Sequence, residues 1–83
     1  MPSGVQVDQE LVNLVTRFRE QLGLTVTFIS VKESECQTEI LSPTGVVIGR
    51  VCFRRWGSDP VWRCGEWSGL FPDSSPTEII NRS

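Results

Sequence analysis

Eighty-three residues, 39% apolar and 22% charged, make one small domain with a single hydrophobic core and leave no room for a second. The formal net charge of -2 argues against binding nucleic acid by bulk charge, and no apolar run approaches the roughly 20 residues of a membrane span. The chain has no histidine, so nucleophilic catalysis by a serine–histidine or cysteine–histidine pair is excluded within it.

Cys36, Cys52 and Cys64 are an odd number of thiols for a short chain, where a secreted domain usually carries an even disulfide set. They read as reduced cysteines of a cytoplasmic protein. The opening MPSGVQVDQE has neither the basic nor the apolar region of a signal peptide. The cysteines are too widely spaced for a zinc knuckle and lack a fourth ligand, so neither metal nor cofactor is expected.

After a loose leader over residues 1–6, a helix is predicted from about Asp8 to Leu22. Leu11, Leu14, Val15, Phe18 and Leu22 recur at helical spacing as one apolar stripe. Asp8 suits the N-cap and Gly23 the stop. A strand follows from Leu24 to Lys32. Its alternation is broken, with Val26 and Phe28 on one side and Ile29 and Val31 on the other, so either both faces are covered or a bulge switches the phase.

Glu33-Ser34 turns the chain into a third element, Glu35 to Leu41, where Glu35, Gln37 and Glu39 alternate with Cys36, Thr38 and Ile40. Ser42-Pro43-Thr44-Gly45 is a strong turn signal. Val46 to Trp56 is read as the longest strand and Val61 to Trp67 as the last, joined by Gly57-Ser58-Asp59-Pro60. In the tail, Leu70 and Phe71 are placed to return to the core, and Ile79 and Ile80 to form a turn of helix.

The predicted fold is α+β: one N-terminal helix packed on a four-stranded antiparallel β-meander, followed by a disordered C-terminal tail. One domain covers residues 1–83, with an ordered core over about 7–71 and a flexible tail over 72–83.

The two turns imply registers in which Ile40 faces Val47, Cys36 faces Val51, Phe53 faces Cys64 and Arg50 faces Trp67. Cys36, Ile40, Val47, Val51, Phe53, Trp62 and Cys64 then form a core face. Glu35, Gln37, Glu39, Ile48, Arg50, Arg54, Arg63, Trp56 and Trp67 share the opposite face, with Arg54 directly across from Arg63.

That opposite face singles out Arg50, Arg54, Trp56, Arg63 and Trp67 as partner-binding residues. Tryptophan and arginine are the residues most enriched at interface hot spots. The same residues on a plain solvated sheet would be guanidinium groups resting on indole rings. Cys52 falls between Arg50 and Arg54, which would lower its pKa. Glu35 and Glu39 are about 13 Å apart on one strand, too far for a glycosidase pair.

The expected function is a non-enzymatic protein-interaction or regulatory module, its partner another protein or a second copy, with no membrane contact. A second reading is a single-stranded nucleic-acid-binding domain, tryptophans stacking on bases and arginines on phosphates. A third is a small-molecule or peptide site between helix and sheet, marked by an unfilled apolar pocket near Trp62.

Overall fold

Helix α1 spans Gln9–Leu22, and its ends are set by the residues that flank it. Asp8 is the N-cap, its side chain accepting the Glu10 backbone N–H at 2.9 Å. Gly23 closes the helix in the left-handed region, and its N–H reaches the Arg19 carbonyl. Leu11, Val15 and Phe18 are fully buried, and Leu14 and Leu22 pack beside them half-exposed. This computed structural model describes residues 8–69 and 74–82. The expected leader and the return of Leu70 and Phe71 lie outside the described residues.

Four antiparallel strands follow in sheet order β1-β2-β3-β4: Thr25–Val31, Glu35–Leu41, Val47–Arg54 and Arg63–Gly69. Each strand pairs with its neighbours in the chain, as the short turns require. α1 lies on one face of the sheet. Its Phe18 ring meets the Phe53 ring edge-on, centroids 6.0 Å apart. Val26, Cys36, Ile40, Val51 and Trp62 complete that core. Thr38, the one buried polar side chain among the described residues, donates its hydroxyl to the Val51 carbonyl at 2.9 Å. That bond offsets the cost of burying it.

Every strand pair carries one irregularity, and these correct the expected registers. In β1, Ile29 is an extra residue between Phe28, opposite Thr38, and Ser30, opposite Gln37. The bulge turns Val26 and Phe28 toward the helix and leaves Ile29 exposed. Between β2 and β3 the expected partners move by two positions, so Cys36 faces Phe53 and Ile40 faces Gly49. The turn contributes one step, because Gly45, at φ 87°, adds a residue between the Ser42–Val46 pair. Ile48 contributes the other as a bulge. A shift of two keeps each side chain on its face, so the core set survives the error. Two members change. Val47 is exposed, and Ile48, expected on the open face, packs against the core.

Between β3 and β4, Arg54 faces Arg63 and Phe53 faces Cys64 as expected. Beyond them Gly65 and Glu66 stand against the single residue Cys52, so Val51 faces Trp67 and Arg50 faces Ser68. Past the bulge Gly49 faces Gly69, where φ is 92° and an added Cβ would lie 2.5 Å from the Ile48 carbonyl oxygen. β3 also ends earlier than expected. The connection covers residues 55–62, so Trp56 and Val61 are unpaired.

Within the stretch read as a flexible tail, Pro76–Ile80 forms a second helix, α2. Ser75 caps it, and Ser75 and Glu78 form a reciprocal capping box with proline at the first helical position. Pro76, Ile79 and Ile80 are buried, the two isoleucines in the same core as α1. Among the described residues both helices therefore cover one sheet face and leave the other bare. Among the described residues no helix is long and apolar enough to cross a membrane.

Candidate functional site

Strand alternation builds the bare face from two facing rows. Glu35, Gln37 and Glu39 of β2 stand opposite Arg54, Cys52 and Arg50 of β3. Arg50 Nε lies 3.4 Å from Glu39 Oε2, and Arg54 Nε 3.9 Å from Glu35 Oε1. Arg54 also places Nη2 2.8 Å from Glu66 Oε1, which the β4 bulge turns to this side. These pairs are solvated, so they set the charge pattern more than they stabilise the fold. Arg50, Arg54 and Glu66, with Ile29, Gln37, Trp67 and Ser68, border a shallow basin of about 290 Å³ that reaches all four strands.

The structure separates the five expected site residues. Arg50, Arg54 and Trp67 border the basin. Trp67 stands across from Val51, not Arg50, and is 47% exposed. Trp56 sits in the β3–β4 connection, off the sheet and 75% exposed. Arg63 borders a different hollow, on the helix side. The two tryptophans thus do not flank a row of three arginines.

Cys52 also departs from expectation. Burial pushes its thiol up, outweighing the Arg54 charge that pulls it down, and Glu35 and Glu66 add to the rise. Burial pushes Cys36 to about 11 and raises Cys64, the latter against a hydrogen bond with Thr77. All three cysteines are free thiols. No group of three or more metal-ligating side chains forms among the described residues.

Arg55 is the polar residue that the pattern reading passed over. It follows Arg54 at the end of β3, so the two side chains leave on opposite sides. Its Nε donates to the Glu33 carbonyl at 2.7 Å, and its guanidinium lies over the Trp62 ring, 5.4 Å from the centroid. Its Nη1 is 3.4 Å from Asp8 Oδ2, the atom that also accepts the Trp62 indole N–H at 3.1 Å. Two adjacent arginines at a strand end were the signal: one of them had to find partners on the covered side.

Beside Trp62 lies a groove of about 410 Å³ walled by Leu14, Val61, Cys64, Thr77 and Ile80. It continues along α1 into a hollow of about 320 Å³ bordered by Glu10, Asn13 and Arg17. Val61 on its wall is 52% exposed. The molecule thus offers two concave surfaces on opposite sides of the sheet, one charged and one apolar. Comparison of the chain with protein-family models, with curated proteins and with solved structures finds no match.

Proposed function

We infer that the chain is a non-enzymatic binding module that docks another protein on its bare sheet face. The carrying observation is that both helices pack on one side, leaving a four-strand face on which carboxylates and guanidinium groups stand in facing rows beside a shallow basin. Such a two-sign pattern suits a protein surface, where charge complementarity sets register and rejects wrong partners. Ile29, 51% exposed beside the rows, supplies apolar area. Arg50 and Arg54 already lie beside carboxylates, and Trp56 stands off the sheet, which favours a protein partner over single-stranded nucleic acid. The lack of histidine, the raised thiols and the spread of the carboxylates support binding over catalysis.

A photo-cross-linking residue at exposed Gln37 tests this. A discrete adduct is expected in cells that make the domain, weakened by Arg54→Glu, while a probe at Glu20, exposed on α1 away from both concave surfaces, gives none. Equal adducts from both positions count against the sheet face. Light scattering on the purified chain separates a second copy from a foreign partner. Tight, salt-dependent retention of a single-stranded oligonucleotide would move the reading to nucleic acid.

A further inference from the structure

The groove beside Trp62 is independent of the sheet face and carries its own chemistry. Its floor is apolar: Leu14 from α1, Val61 and Trp62 from the β3–β4 connection, Ile80 from α2. Its two hollows share these four residues, so they form one continuous trough open to solvent. A volume of about 410 Å³ lies in the range of binding clefts. An open trough along a helix suits side chains projecting from a peptide, whereas an acyl chain gains most from enclosure.

Charge narrows the class of occupant. Arg19 donates to the Val26 carbonyl at 2.9 Å, and Arg82 to the Ser74 hydroxyl at 3.0 Å. Arg50, Arg54 and Arg55 lie beside carboxylates. Among the described residues this leaves the side chains of Arg17, Lys32 and Arg63 without a hydrogen bond or ion pair, and Arg17 and Arg63 both border the trough. Among the described residues Glu10 is the one carboxylate bordering it, two helical turns or about 10 Å from Arg17 along α1. The trough is therefore locally cationic on a chain whose formal net charge is -2.

We propose that this trough docks a short acidic peptide segment, with two apolar side chains seated on Leu14, Val61, Trp62 and Ile80 and neighbouring carboxylates meeting Arg17 and Arg63. The apolar anchors supply most of the affinity, and the rim charges select the sign of the partner.

The probe is a capped peptide of about a dozen residues with two leucines four apart among glutamates. It is titrated into the full chain while backbone amide NMR shifts are followed. Saturable shifts are expected at Leu14, Val61, Cys64 and Asn81, with Gln37 and Arg50 on the far side unmoved. The peptide with lysines in place of glutamates should bind roughly five-fold more weakly, the scale of a rim charge contact made and then reversed. Arg17→Glu should shrink or invert that preference, and Val61→Glu, at an exposed position, should abolish binding while the circular dichroism spectrum is kept. Absence of saturation at about 1 mM peptide overturns the proposal. So does equal affinity for the two peptides, or a shift pattern centred on the bare sheet face. Dodecanoate saturating the same amides where the peptide does not would reassign the trough to a fatty carboxylate. None of these outcomes depends on whether the sheet face binds a protein.

Discussion

The indole N–H of Trp62 donates to Asp8 Oδ2 at 3.1 Å, so the last residue of the β3–β4 connection is tied to the N-cap of α1. One carboxylate thus caps the helix through Oδ1 and binds the indole through Oδ2, with Arg55 beside it. The indole bond does most to hold the Asp8 carboxyl below its ordinary 3.8; burial opposes it, and the Glu10 amide and Arg55 charge assist. A carboxyl lowered in the folded state binds fewer protons there than in the unfolded chain. Its contribution is therefore fully present above the ordinary value and is lost as pH falls below it. Urea unfolding of wild type and Asp8→Asn across this range should give curves that separate at neutral pH and converge in acid. Parallel curves would show that the carboxylate charge does not matter.

Trp62→Phe keeps an aromatic ring but removes the donor and part of the surface under Arg55. It should cost on the order of 1–3 kcal/mol, combining lost packing with a weakened polar cluster. The check is equilibrium unfolding, with Asp8→Asn/Trp62→Phe as the double variant. If the two changes share one interaction, the double variant loses less than the sum.

Gly69→Ala should be disproportionately harmful for a surface position. The residue is at φ 92°, and its new methyl would meet the Ile48 carbonyl and the Gly49 Cα. A loss of about 1–3 kcal/mol is expected, read as a fall in melting temperature. Gly45→Ala, at φ 87° with open space around it, separates the two causes, since there only the conformational cost applies.

Ile79→Ala tests whether α2 belongs to the cooperative fold. Ile79 is buried in the common core, and its truncation should cost about 2–4 kcal/mol in denaturant. A loss under about 0.5 kcal/mol would mark α2 as dispensable.

Alkylation gives a further check. The raised thiols should make all three cysteines slow toward iodoacetamide at pH 8, with Cys36, at about 11 and fully buried, modified last. Rapid, selective labelling of Cys52 in the native protein would contradict the balance of burial over the Arg54 charge.

Local features were legible in the chain. Asp8 and Gly23 bracket α1 because capping depends on residues a few positions apart, and β2 showed itself through strict alternation. Faces were legible where register errors came in twos, as for Cys36 and Ile40. They were not legible where a bulge added one residue. The Gly65–Glu66 step moved Trp67 from Arg50 to Val51 and brought Glu66 to Arg54, and no local pattern announces it. The Asp8–Trp62–Arg55 cluster joins three distant stretches and exists only once the meander has closed. The groove beside Trp62 depends on α2, whose two isoleucines were too short a signal to place against α1.

The bulges at Ile29 and at Gly65–Glu66 lie in β1 and β4, the two strands at the sheet's open margins. A flat margin would expose a regular row of amides and carbonyls on which further copies could zip indefinitely. An extra residue breaks that row on each side. Ile29, half-exposed and apolar, sits in the strand where fibre growth would otherwise begin. Deleting it would restore even spacing to β1 and remove the interruption from that edge.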